Sequence, residues 1–405
     1  MAEDNILTLD EAIAEVAGAN PDIRASYYQT EAAKARIPQA KALDDPMVGV
    51  EFYNVPIDTA DVTKSDDIDY SIEQKIPFPG KRYVRGKVAR FDAAAVAEES
   101  RGRVWDVILD LKKTYYDVYR IERQLAVNRE NQGLVRQFLG STKTWYATGQ
   151  TTADAPLKAQ VELSNLKNQE ILLNQERTTH LSHLSAILNR PSHEEIHISN
   201  RIQWPKLTAS LEQIRAMAGE TRPELQALGE MQKRDKAKVT SAKQSLIPDF
   251  TFGFVYKQRP GNRQDVWAGS AAMNLPIFFW GKNRAEIQEA KASLKATEAM
   301  QQSMQLHTHH DIDGAYSAFK AAQKLVSSYQ GGILPQAKTT LDAAREAYAS
   351  RKVDFLTLID AARTYKDLQM SFYETQATVG TTFAELERLV GTDLSQNKKG
   401  VIYEE

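Results

Sequence analysis

Between Tyr83 and Thr148 the chain runs without a proline, and its apolar residues recur at alternating steps of four and three: Val104, Ile108, Leu111, Tyr115, Val118 and, one heptad on, Leu125. That spacing keeps one apolar seam along a helix, and a seam at 3.5 residues favours helices that wind around each other. It predicts one helix over 83–148, which at ~1.5 Å per residue is about 100 Å long, several times the width of an ordinary domain. After the turn signal Gly149-Gln150-Thr151-Thr152-Ala153-Asp154 a return helix is expected over 155–189, making a helical hairpin.

Upstream, the run from Leu7 to Gly18 reads as a short helix, with Thr8 as candidate N-cap and Glu11 three residues on. A second helix starts after Asn20-Pro21. It stops at Asp44-Asp45-Pro46, since proline lacks the donor and the residue before it avoids helical angles. The period then changes to two. From Ile68 to Ile76 apolar and polar residues alternate, with a lapse at Gln74, and the β-rich run from Met47 to Val55 is the expected partner in a hairpin over 46–77. Pro77-Phe78-Pro79-Gly80-Lys81 ends the strand and leads into the long helix.

The same order returns further on. Leu207-Thr208 echoes Leu7-Thr8, Arg222-Pro223 echoes Asn20-Pro21, and Pro248-Asp249 stands where Asp45-Pro46 stood. Phe250 to Tyr256 alternates and, less sharply, so does Val266 to Leu275. Gly281-Lys282 matches Gly80-Lys81 at an offset of 201, and at that offset Leu111, Tyr115, Val118 and Leu125 fall on Ile312, Tyr316, Phe319 and Val326. Two structural repeats are therefore expected, 6–192 and 205–392, followed by a tail at 393–405. The second holds a hairpin over 249–277, a long helix over 284–350, the turn Ser350-Arg351-Lys352-Val353-Asp354 and a return helix over 356–390. Pro335 is expected to kink that second long helix. An isolated hairpin is marginal, so the halves are expected to interleave in one protomer.

Each expected strand has roughly nine to eleven residues, the length that crosses a bilayer in a tilted barrel. One face carries Val48, Val50, Phe52, Ile68, Tyr70, Ile72, Phe250, Phe252, Phe254, Tyr256 and Trp267; the other carries Glu51, Asp69, Ser71, Glu73, Thr251, Ser270 and Asn274. Apolar outside and polar inside describes a water-filled transmembrane barrel. A soluble sheet whose apolar face packs on helices gives the same alternation, and both readings stand at this point. Four strands cannot close a barrel with a lumen, whereas three chains would supply twelve. Closure would also remove the unpaired edges that lipid does not tolerate.

Composition narrows the field. Lys+Arg 51 against Asp+Glu 53 gives a net charge of -2, with no basic excess for nucleic acid. Cysteine is absent, which excludes disulfides and thiolate metal sites. No run of 18 apolar residues marks a transmembrane helix, but barrel strands barely register on hydropathy. The start, Met1-Ala2-Glu3-Asp4, has no basic and apolar signal region. That fits a cytosolic protein or one whose signal was replaced by a Met.

The layout resembles the TolC-like outer-membrane factor family of Gram-negative efflux and secretion systems. The residues that carry the likeness are Leu7-Thr8-Leu9-Asp10-Glu11-Ala12-Ile13 followed by Asn20-Pro21, both hairpins, the Gly80-Lys81 and Gly281-Lys282 helix starts, Ile333-Leu334-Pro335 with Ala347-Tyr348, and Leu358-Ile359-Asp360-Ala361. It covers about 6 to 392. Glu73-Gln74-Lys75-Ile76-Pro77-Phe78-Pro79-Gly80-Lys81-Arg82 is most similar to the branch paired with heavy-metal exporters. The resemblance implies a mainly α fold with a β-barrel portion. Long antiparallel coiled-coil helices would form an α-barrel in the periplasm, and four strands per chain would join a homotrimeric twelve-stranded transmembrane β-barrel in outer-membrane lipid. It implies a passive exit duct, not an enzyme and without a cofactor, working with a periplasmic adaptor and an inner-membrane pump of the RND type. Asp360 occupies the family's constriction position. Thr357 stands where a second aspartate is often found, and Asp154 lies next to the corresponding position in the first half. Gly149, Gln150, Arg351 and Lys352 would meet the adaptor at the periplasmic tip, and Gly80, Lys81, Gly281 and Lys282 would form the barrel-to-helix junction. Many relatives carry a lipidated N-terminal cysteine; this sequence has none, so that anchor is expected to be absent or to have been removed with the signal.

The residues themselves keep blander alternatives open. Asp360 is an acidic pore ring, which would favour cations, or a solvated turn carboxylate. His307, His309 and His310, like His180 and His183, read as solvated helix histidines rather than a metal site. Gly80-Lys81 and Gly281-Lys282 lack the upstream glycine of a phosphate loop. Phe78, Phe278, Phe279 and Trp280 form an interfacial girdle or plug the junction. The alternative to the duct is a soluble coiled-coil scaffold or adaptor without channel activity.

Overall fold

The computed structural model describes residues 6–58, 60–150, 152–191, 196–199 and 202–395. A two-residue strand, β1 (Ile6–Leu7), precedes α1 (Leu9–Ala19) and α2 (Pro21–Lys41); β2 (Met47–Tyr53) and β3 (Asp67–Ile76) lead into α3 (Lys81–Ala147), and α4 (Asp154–Ile187) returns. After β4 (His197–Ile198) the order repeats. It runs α5 (Leu211–Thr221), α6 (Pro223–Gln244), β5 (Phe250–Gln258), β6 (Val266–Met273), α7 (Lys282–Ser328), a π-helical turn (Tyr329–Ile333), α8 (Leu334–Ala349) and α9 (Phe355–Val390).

Two compact units divide the chain. One holds residues 1–26, 101–222 and 305–405, the other 27–100 and 223–304. In the first unit the heptad seam does what its spacing requires. Leu111, Tyr115 and Val118 of α3 are buried with Leu184, Ile187 and Leu188, while Ile312 and Phe319 are buried with Phe383, Leu386 and Val390 of α9. The Tyr115 hydroxyl donates to the Leu7 carbonyl at 3.0 Å, so the seam also holds β1. Asn20 is buried and fixes the start of α2. Its Oδ1 accepts from the Asp22 and Ile23 N–H groups at 2.9 and 3.2 Å, and its Nδ2 donates to the Ile187 carbonyl at 2.8 Å.

Three features differ from the sequence reading. Leu7 belongs to a strand, not a helix: the Thr8–Glu11 capping box starts α1 at Leu9, and β1 pairs in parallel with β4. In the second half the cap is Ser210 with Gln213, two residues beyond Thr208. The second long helix is interrupted by the π turn that ends at Ile333, two residues before Pro335. There the Leu334 N–H reaches back five residues to the Tyr329 carbonyl, and a π turn is itself a recognised source of helix bending.

Candidate functional site: the four-stranded sheet and the two helical turns

The second unit carries a four-stranded antiparallel sheet in the order β2-β3-β5-β6. Val50 pairs with Tyr70, Tyr70 with Tyr256, and Tyr256 with Trp267; Ile72 pairs with Val48 and Phe254. This register puts the expected apolar residues of all four strands on one face. A soluble sheet would bury that face. Here it is the open one: Val48 is 76% exposed, Trp267 71% and Phe254 46%. The opposite face holds charge in pairs. Lys257 Nζ lies 3.0 Å from Asp69, which is only 7% exposed, and Arg263 lies 3.0 Å from Asp67. Val255, Val266, Ala268 and Ala272 share this face, so it is mixed rather than wholly polar. Strand lengths are 7, 10, 9 and 8 residues, so β2 and β6 fall short of the nine to eleven expected.

The two junctions are built differently. Gly80 takes a positive φ of 99°, which only glycine adopts without strain. The next residue, Lys81, donates to Asp249 at 2.7 Å and to the Ile247 carbonyl at 2.5 Å, while Asp249 also accepts from the Phe78 N–H at 3.0 Å. Gly281 has no such φ and Lys282 is exposed. At that junction the neighbouring Asn283 makes the tie, donating to the Ser245 carbonyl at 3.0 Å and to its hydroxyl at 2.8 Å. Asp249 and Asn283 were missed as site residues. Asp249 was visible as a helix stop, but its lysine lies 168 residues away in sequence. Phe278, Phe279 and Trp280 are exposed, and both phenylalanines meet the Trp280 ring edge-on.

In the first unit the structure brings the two turns together. Gly149 and Arg351 both hold left-handed backbone, φ 69° and 58°. The Arg351 guanidinium donates to the Gln150 side-chain carbonyl and lies 5.7 Å from the centre of the Trp145 ring. The Lys352 N–H closes its turn on the Ala347 carbonyl at 2.8 Å. A cavity of about 320 Å³ lies between the turns, and among the described residues the buried Tyr348 hydroxyl on its wall has no hydrogen-bond partner.

The expected constriction residues are each held locally. Asp154 opens α4 and accepts from the Thr152 hydroxyl and from Lys158 at 2.9 Å, contacts that hold its carboxyl below the usual range. Thr357 donates its hydroxyl (2.6 Å) and its N–H (2.9 Å) to Asp354, the N-cap of α9, and these bonds lower the Asp354 carboxyl likewise. Asp360 is exposed one turn further on, within the field of Arg363, which is bonded to Glu162. Within one protomer, among the described residues, no hydrogen bond or ion pair joins Asp360, Thr357 and Asp154. His183 pairs with Asp110 at 3.1 Å. Among the described residues no three His, Asp or Glu side chains cluster as a metal site, and no helix is long and apolar enough to cross a membrane.

The sequence profile of the outer membrane efflux proteins matches residues 12–190 and again 215–392. A comparison with curated proteins finds no match. Among solved structures the chain is similar to the outer membrane protein VceC of Vibrio cholerae, at 16% identity and a TM-score of 0.79 over 96% of this chain and 97% of that one. It is likewise similar to the MtrE outer membrane channel of Neisseria gonorrhoeae in its open state (16% identity, TM-score 0.81, 97% and 91% covered) and to CusC (16%, 0.81, 95% and 92%). The open apolar face and these matches set aside the soluble scaffold. The chain belongs to the outer membrane efflux protein family, and it is an exit duct of the Gram-negative outer membrane.

Proposed function

We propose that three copies of this chain close into one passive conduit, a twelve-stranded barrel continued by a tunnel of helices in the periplasm. The observation that carries this reading is the sheet. Among the described residues its edge strands β2 and β6 have no outer neighbour in the protomer, while its apolar face is open. In hydrocarbon each unpaired backbone group costs several kcal/mol, so the edges need partners, and β6 of one copy beside β2 of the next keeps the antiparallel alternation. The repeats 6–192 and 205–392 would contribute alternate elements to that wall, ending in the tail 393–405, of which 396–405 lies outside the described residues.

On this reading the two turns form the tip. Three copies of Asp360 ring the passage and favour cations, while Gly149, Gln150, Arg351 and Lys352 meet a periplasmic adaptor that couples the duct to an inner-membrane pump of the RND type. The cargo is small solutes, with heavy-metal cations among them, and the energy comes from the pump. Purified in detergent, the protein should run at three times the chain mass and conduct ions across planar bilayers. A monomer that stays in water without detergent and conducts nothing would overturn the proposal.

A further inference from the structure

The sheet-bearing unit contains a groove that the duct does not use. It measures about 370 Å³ and lies between the first turns of α3 and the last turns of α6. Val84, Phe91 and Ala237 line it as an apolar floor, and Lys87, Lys233 and Lys236 stand exposed around it. Tyr83 closes the end nearest the sheet and is 70% exposed.

The charge there is unbalanced. From Lys81 to Arg90 the chain has five basic residues and no acidic one. The carboxylates nearby are already engaged. Glu230 takes Lys233 at 2.6 Å, Asp92 takes Arg234 at 3.0 Å, and Asp235 is bonded to Arg234, Lys238 and Thr297. Among the described residues, Lys87 and Lys236 have no carboxylate partner, and Lys87 Nζ sits 5.7 Å from the centre of the Phe91 ring. Position completes the case. Lys87 is six residues into α3, about 9 Å along the axis from the start of that helix, which follows the last sheet residue, Ile76, after a short turn. The headgroup layer is about 5–7 Å deep on each side, and lysine side chains reach several ångströms further toward it. The exposed Phe278, Phe279 and Trp280 precede the start of α7 in the same unit, as aromatic residues do at a membrane interface.

We infer that this groove seats an anionic phospholipid of the leaflet from which the helices emerge, its phosphate between Lys87 and Lys236 and its glycerol and upper acyl carbons on Val84, Phe91 and Ala237. An apolar floor under a cationic rim suits an amphiphile better than a free anion. The inference rests on the sheet lying in the membrane, but its test does not depend on conduction.

The full chain, purified in detergent, is mixed with phosphatidylglycerol or phosphatidylcholine and its bound lipid counted by native mass spectrometry. Wild type should keep phosphatidylglycerol in preference to phosphatidylcholine. The double variant Lys87→Gln/Lys236→Gln should lose that retention by on the order of twentyfold, since each lysine near an anionic surface contributes about a fivefold change. Lys87→Arg/Lys236→Arg should retain it. Equal retention of both lipids, or an unaltered Gln variant, overturns the inference. Displacement by millimolar inorganic phosphate makes the groove a free-anion site, and loss of the trimer with lipid retained makes it a subunit contact; either result also overturns it. Bilayer conductance of the same preparations tests the duct separately.

Discussion

Arg351 holds a left-handed backbone that costs a non-glycine residue about 1–2 kcal/mol, and its side chain ties one turn to Gln150 and Trp145 of the other. Arg351→Gly should relieve the strain as it removes the tie. Thermal stability should then change by no more than about 1 kcal/mol, while open time in planar bilayers rises if the tie narrows the proposed passage; unaltered gating would leave the tie without a part in it. Asp360→Ala should weaken cation preference, read from the reversal potential in a salt gradient, and an unaltered potential would take Asp360 out of the constriction. Glu387 offers a pH test. Burial pushes its carboxyl up to about 7 although Lys112 Nζ lies 2.5 Å away; Asp393 and the Leu394 N–H also face it. Between the ordinary carboxylate value and 7 the folded chain keeps a proton that the unfolded chain has released. Stability at this site therefore falls as pH rises through that window and returns on acidification. Glu387→Gln should flatten the dependence of the unfolding midpoint between pH 5 and 8, by at most about 3 kcal/mol. That Gly149, Gln150, Arg351 and Lys352 lie in turns could be read from the sequence because they punctuate helices, but the Gln150–Arg351 contact could not, because it joins turns 201 residues apart.

At the scale of elements, α9 packs on α3 through a close approach. A Cβ on Gly380 would lie 2.5 Å from the Tyr116 ring, which is 3% exposed and stacked on Trp204 at 5.8 Å. Gly380→Ala should cost about 1–3 kcal/mol in thermal or denaturant unfolding, and Tyr116→Leu in the same chain should recover part of the loss. The long helices were legible because a heptad seam repeats often enough to outweigh any single exception. β1 and β4 were not, since two residues carry no period and their pairing depends on contacts 191 positions apart, as Ile6 with His197. The Lys81–Asp249 tie was hidden for the same reason, and the likeness of Gly281-Lys282 to Gly80-Lys81 suggested a symmetry of contacts that the side chains do not keep.

At the scale of the whole molecule, alternation alone left a membrane wall and a buried soluble sheet undecided, because both use a period of two. Exposure sets aside a face covered by this chain's own helices, and exposure depends on where the rest of the chain packs. The wall makes its own prediction. Phe254 and Val255 are neighbours on opposite faces. Phe254→Lys should reduce folding into vesicles, with a cost of roughly 2–4 kcal/mol if the site lies near the midplane. Val255→Lys, beside Ser71, should leave insertion near wild type and alter conductance instead. Equal effects at the two positions would remove the inside–outside distinction.

The π turn at Tyr329–Ile333 has one more consequence. Counted to its end, the second rod is one residue longer than the first, and the loop after it, 350–354, is one shorter than 148–153. Above the turn Ile312 answers Leu111; below it Leu341 answers Leu139, one number later, and all four are buried. An added residue would normally swing everything beyond it by about 100°. The wider coil takes up that rotation, so this is a spare link where the rod's length is uncoupled from the direction its lower face looks.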